Sequence, residues 1–233
     1  MSIILTDDDS ASTSSSDDGP QSADADLSRA GDPAAGLPAS VLERLPPGLL
    51  GAGAPGPEIS GAGGRRLEIQ NPCRYPDVRA RRLRPWIESA WGELAPAAET
   101  LTVRFVSDRE MRRLNASFRG RDESTDVLSF PGDLEKPWPN GGEAGEAAAI
   151  PPGIFAQEAA HLGDVVISVP TSRRQAAAAG RGLEQELRLL TLHGLLHCLG
   201  FDHERDGGEM EAVEKALRRR FLSSPQASED ART

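Results

Sequence analysis

The chain has 233 residues, 38% of them hydrophobic, enough for one domain with a proper core and for further segments outside it. No apolar run approaches the roughly 20 residues that span a bilayer. That argues against a membrane partner, and the only cysteines, Cys73 and Cys198, stand far apart and outside any CxxC pair, which argues against a disulfide framework and fits a reducing, cytoplasmic setting. The formal net charge of −10 is uneven, with −8 over residues 1–64, +4 over 65–125 and −6 over 126–233, so the acidic total does not exclude a polyanionic partner.

Residues 1–64 are rich in Ser, Asp, Ala, Gly and Pro and contain no aromatic side chain. Such a segment buries too little apolar surface to offset its ordering entropy, and it is expected to be a disordered acidic tail. Its start, MSIILTDDDSAS, lacks the positive cluster and long apolar stretch of a secretory signal. A folded domain is expected over residues 65–222, with an irregular insertion at 133–160 and a flexible C-terminus at 223–233.

Within that domain LEIQN (67–71) reads as a strand. From Arg79 to Leu94, the residues Leu83, Ile87, Ala90, Trp91 and Leu94 recur at helical spacing, with Pro85 near the start. TLTVRFVS (100–107) alternates as a strand, and Asp108 is placed to cap the short helix EMRRLNASF. DVLSF (126–130) and LGDVVISV (162–169) follow as strands, the second leading into an Arg- and Ala-rich helix at about 171–180. LEQELRLLTLHGLLHCL (183–199) is the strongest helical pattern and ends at Gly200, and a last helix is expected from about Gly208 to Phe221. Strands and helices mix without a regular βαβ alternation, which indicates an α+β fold.

The chemistry concentrates in eleven residues, His193-Gly-Leu-Leu-His197-Cys-Leu-Gly200-Phe-Asp-His203. Four residues are just over one helical turn, so His193 and His197 face the same way, about 6 Å apart along the axis. Gly200 suits a left-handed helix end, after which the chain can return His203 to the same point. The spacing H-x3-H-x2-G-x2-H matches that of the metzincin proteases. Three neutral imidazoles with an open fourth position form the ligand set of a catalytic zinc rather than a structural one, and one Zn2+ per chain is expected. Cys198 points about 100° away from His197 around the helix and is read as core. In HExxH proteases a glutamate directly after the first histidine is the general base, and here that position is Gly194, so a protease reading lacks its proton acceptor. Trp86, Trp91 and Phe105 are read as core, and His161, at the end of the insertion, as a loop histidine, with a fourth ligand or a substrate contact as the alternatives.

Three segments resemble the YbeY family of endoribonucleases, which are bacterial rRNA maturation factors. LNASFRGRDESTDVLSFP (114–131) is similar to the family's N-x-x-(Y/F)-R-G-K-D-x-P-T-D-V-L-S-F-P block, LGDVVIS (162–168) to its L-G-D-(I/L)-V-I-S strand, and HGLLHCLGFDHE (193–204) to its H-G-x-L-H-L-x-G-Y-D-H signature. The resemblance implies a zincin-like α+β fold, a small mixed β-sheet packed against a central metal-binding helix. It implies a single-strand-specific, metal-dependent endoribonuclease acting in 16S rRNA 3′-end maturation and ribosome quality control. The small ribosomal subunit, ribosomal proteins and an assembly GTPase are the partners it implies. It makes His193, His197 and His203 the metal ligands and places Arg119 on the arginine proposed to engage the RNA phosphate, a catalytic role. Asp164 and Asp202 fall on acidic positions, where orienting an imidazole or capping a turn are the roles to weigh. Ser124 and Phe201 replace the usual Pro and Tyr. The alternatives are a ribosome-assembly factor whose metal is mainly structural, or another zinc-dependent hydrolase.

Overall fold

The computed structural model describes residues 4–5, 37, 64–132, 160–203 and 205–222. Most of the acidic tail, the insertion and the C-terminus after residue 222 lie outside these residues. In chain order the elements are β1 (Ile4–Leu5), β2 (Arg66–Gln70), α1 (Ala80–Leu94), β3 (Thr100–Val106), α2 (Asp108–Arg119), β4 (Val127–Pro131), β5 (His161–Ser168), α3 (Val169–Ala178), α4 (Leu183–Cys198) and α5 (Glu209–Leu222). The strands form one mixed sheet in the order β1-β4-β5-β3-β2. β2, β3 and β5 run parallel, while β4 is antiparallel to β5 and to the two-residue β1.

β5 is the central strand, with Leu162, Val165, Val166 and Ile167 all buried. A near-continuous apolar run of this kind marks a strand covered on both faces, and helices do cover both. On one face Val127, Val165, Ile167, Leu101, Val103 and Phe105 join the main core with α1, α4 and α5. On the other, Leu128, Phe130, Val166 and Val106 meet Met111 and Leu114 of α2. β2, α1 and β3 make one βαβ unit, the only one of its kind among the described residues, so the α+β reading holds.

α4 is the hub of the main core because its sequence is apolar almost all round. Leu187, Leu190, Leu192, Leu195 and Leu196 are all buried, and such a helix has no face suited to water. Gly194 lets it lie close on the sheet. A Cβ at that position would stand 2.5 Å from Val165 Cγ1 and 3.0 Å from Ser129 Oγ. One turn on, Cys198 meets Gly163, so α4 crosses β5 antiparallel with its C-terminal turn over the strand's beginning.

Sequence expectation and structure differ at the starts of α2, α3 and β5. The cap of α2 is Ser107, whose Oγ accepts from Glu110 N at 3.2 Å, and Asp108 is the first helical residue. The carboxylate of Asp108 instead accepts from Thr171 Oγ1 at 2.8 Å and Arg174 at 2.9 Å, and also from Ser168, all on or beside α3. α3 starts at Val169, earlier than expected, with Ser168 as its cap. Within the expected tail, Ile4 and Leu5 pair with Ser129 and Leu128 at the edge of β4, and Leu37 packs on the main core.

Candidate metal centre

The last two turns of α4 supply two histidines and the loop after it a third. The helix ends in a Schellman arrangement, with Gly200 N–H on the His197 carbonyl at 2.9 Å and Phe201 N–H on the Leu196 carbonyl at 3.1 Å. Gly200 has φ of 85°, a conformation that costs glycine nothing and other residues about 1 kcal/mol or more. This turn buries Phe201 completely and carries His203 back toward the helix. Ligand nitrogens from His193, His197 and His203 all lie within 4.8 Å of one another. The ring centroids are 4.6 Å apart for His193 and His197, 5.6 Å for His193 and His203, and 5.3 Å for His197 and His203.

His197 is fully buried, and its Nδ1 lies 2.9 Å from the Phe201 carbonyl. A carbonyl only accepts, so Nδ1 carries the hydrogen and Nε2 the lone pair. Burial and the neighbouring His193 push its pKa down to about 3, against the weaker opposing pull of the Phe201 carbonyl, and the ring is neutral at physiological pH. His197 Nε2 stands 2.9 Å from His193 Nε2, while His203 Nδ1 is buried with no hydrogen-bond partner. Imidazole nitrogens gathered at one point, with the His197 ring kept neutral by burial, fit a borderline divalent cation such as Zn2+. Cys198 is buried against Gly163 with its thiol pKa pushed up by burial, so it is a core residue, as its helical position suggested.

Arg119 is the last residue of α2, half-buried, with its Nε buried. α2 covers the face of the sheet opposite α4. Phe118, beside it, stacks edge-on against Phe130 with centroids 5.0 Å apart, and Phe130 pairs with Asp164 near the start of β5. Arg119 and the histidines therefore sit at the same end of the sheet on opposite faces. His161 opens β5 rather than lying in a loop. Its Nδ1 is 2.8 Å from Thr100 Oγ1, and its Nε2 is 3.5 Å from Asp164 Oδ1. Burial raises the Asp164 pKa, but contacts with His161 and Thr102 outweigh it and leave the carboxyl below its ordinary value. Asp164 thus orients an imidazole, though not one of the three in the cluster. Asp202 lies in the turn between Phe201 and His203, where its carbonyl accepts from the N–H groups of Arg205 and Asp206.

One buried group escaped the sequence reading. Glu214 of α5 is 8% exposed, with Oε1 3.3 Å from His193 Nδ1. Burial raises its pKa, and His193 and Arg218 together bring it below the ordinary value. The available signal was an acid on the apolar face of a helix, among Met210, Val213 and Leu217.

An α+β domain whose central helix and following turn bring three histidines together defines a class of proteins equipped to hold a metal ion. Sequence comparison then gives the family. The family described as Endoribonuclease YbeY matches residues 68–222, and the chain belongs to it. Among proteins of that name, it is 46% identical over 127 residues to one from Gloeobacter violaceus, covering 54% of this chain and 58% of that one. With one from Myxococcus xanthus it shares 43% over 141 residues, 59% and 42% of the two chains. With one from Halorhodospira halophila it shares 38% over 158 residues, 68% and 90%. The chain thus spans about half the length of the first two of these relatives. A solved structure from Thermotoga maritima, covering 72% of this chain and 97% of its own, aligns at 20% identity with a TM-score of 0.46, too distant to add to the assignment.

Proposed function

We propose that the protein is a zinc-dependent endoribonuclease specific for single-stranded RNA, acting in 16S rRNA 3′-end maturation and ribosome quality control. The observation that carries this reading is the convergence of His193, His197 and His203 within 4.8 Å, in a chain whose matching relatives are named as endoribonucleases. The three histidines would hold one Zn2+ per chain, which when bound acts as a Lewis acid toward a phosphate oxygen or lowers the pKa of its water. The chain's own groups do the rest. Burial keeps the His197 imidazole neutral and available as a ligand, and the Phe201 carbonyl fixes which nitrogen it offers.

Arg119 is the residue proposed to engage the scissile phosphate, at the end of the sheet it shares with the histidines. Its planar guanidinium binds phosphate oxygens in pairs and would offset negative charge that develops during cleavage. A peptide hydrolase is the weaker reading for a packing reason. Position 194 faces Val165, so no glutamate fits where an HExxH protease places its base. No helix among the described residues is long and apolar enough to cross a membrane. The small ribosomal subunit, with its proteins and an assembly GTPase, is the proposed partner, in the cytoplasm.

The test is cleavage of a single-stranded RNA and of the same sequence in a duplex by purified protein. The single strand should be cut, a chelator should stop the reaction, and zinc should restore it. Cleavage of a peptide substrate with none of RNA would defeat the proposal.

A further inference from the structure

We propose that Glu214 is a positioning residue that keeps the histidine site open by fixing the tautomer of His193. The inference rests on the reading of the three histidines as metal ligands. Its starting point is a conflict at the centre of the site. Phe201 makes His197 Nε2 an acceptor, and that atom lies 2.9 Å from His193 Nε2. If His193 carried its hydrogen on Nε2, it would donate to His197, and the pair would satisfy itself as an ordinary hydrogen bond. His193 would then offer no lone pair at Nε2, and that of His197 would be taken up by the hydrogen bond.

Glu214 excludes that tautomer. It comes from α5, which packs against α4, and it is the one acid buried on an otherwise apolar face. Its Oε1 stands 3.3 Å from His193 Nδ1 and 3.0 Å from the guanidinium of Arg218, one turn along the same helix. A carboxylate held by an arginine accepts hydrogen bonds and donates none, so His193 Nδ1 carries a hydrogen, and Nε2 is the nitrogen whose lone pair a metal can take. Switching the tautomer would leave a buried carboxylate oxygen facing a nitrogen lone pair, a costly arrangement in a desolvated site. The two Nε2 atoms then face each other across 2.9 Å, and a cation bound by both would satisfy them together. In this account α5 contributes no ligand, yet it decides whether the two ligands on α4 are available.

The experiment uses the full chain freed of metal. Long-range nitrogen–proton NMR of the imidazoles should show His193 in the Nδ1–H form in the wild type. Glu214→Leu should move it to Nε2–H, and Glu214→Gln, whose amide can donate or accept, should give a mixture. Zinc affinity, read by competition with a chromogenic chelator, should fall about ten- to a hundredfold in Glu214→Leu and less in Glu214→Gln. A residue that merely packs α5 would lower the melting temperature of the metal-free protein without moving the tautomer. His193 in the Nε2–H form in the metal-free wild type would overturn the proposal, and that measurement needs no variant to fold. Zinc affinity in folded Glu214→Gln and Glu214→Leu within about twofold of wild type would overturn it too. A wild type that binds no zinc at all would instead overturn the ligand reading itself.

Discussion

Asp108 and the three histidines are both polar clusters built where α-helices meet the sheet, and their hydrogen bonding differs sharply. The Asp108 carboxylate receives Ser168 at the end of β5 and Thr171 and Arg174 of α3, tying α2 to α3. Each donor there has found an acceptor. The histidine cluster leaves His203 Nδ1 buried without a hydrogen bond and turns two Nε2 atoms toward each other. Saturated polar groups hold a fold together, whereas buried groups left short of partners are costly unless something else arrives. The contrast sets a cluster that ties helices together apart from the one proposed to bind a metal, within the same small domain.

Substitutions that break one cluster and spare the other sharpen this distinction. The largest effect is expected at Arg119. Arg119→Ala should slow RNA cleavage by about ten- to a thousandfold, the worth of one charge-stabilising donor, with zinc content and melting temperature unchanged. Arg119→Lys should recover only part of the rate, because an ammonium cannot make the paired contacts. Steady-state cleavage assays beside metal analysis check both, and full activity in Arg119→Ala would remove its assigned role.

Gly194→Ala should come next, with an effect on stability first. Its Cβ would stand 2.5 Å from Val165 Cγ1, so α4 must lift from the sheet at a cost of about 1–3 kcal/mol, typical of an overfilled core. Denaturant unfolding measures it, and an unchanged midpoint would show that the helix has room the contact denies.

Asp108→Asn should lower stability by about 1–3 kcal/mol at neutral pH, the range for hydrogen bonds to a charged group, and leave zinc binding intact. The wild type also makes a pH prediction. Burial raises the Asp108 pKa, but the hydrogen bonds from Ser168, Thr171 and Arg174 together carry it below the ordinary carboxylate value. A depressed folded pKa means that the unfolded chain binds the proton more readily. The contribution is therefore complete above the ordinary carboxylate pKa and is lost as pH falls through the folded value. Unfolding free energies measured down that acid limb should fall less steeply in Asp108→Asn than in wild type, and parallel curves would refute the assignment.

The two clusters also differ in how far the sequence disclosed them. His193, His197, Gly200 and His203 lie within eleven residues, so helical periodicity and one glycine were enough to bring them together. The buried stripe of α1, with Leu83, Ile87, Ala90, Trp91 and Leu94, was equally legible because it is local and periodic. Asp108 misled because Ser107 and Asp108 are both capping types, and the donors that settle the matter come from α3, about sixty residues on. Glu214 was missed for a related reason. Its helix could be read, but which face of α5 meets His193 is a matter of tertiary packing. Arg119 was singled out by family resemblance, since nothing in FRGRD alone distinguishes it from the neighbouring Arg121. The pairing of Ile4 and Leu5 with β4 is too short to leave any pattern.

The proposed function requires the histidine cluster to bind the metal used in RNA cleavage. Its most direct test is zinc content and single-stranded RNA cleavage measured on the same preparations of wild type and His197→Ala. One zinc per chain and active cleavage are expected in wild type, and loss of both together in the variant, accompanied by a lower melting temperature because metal binding adds to folding stability. Undiminished cleavage by zinc-free His197→Ala would contradict it.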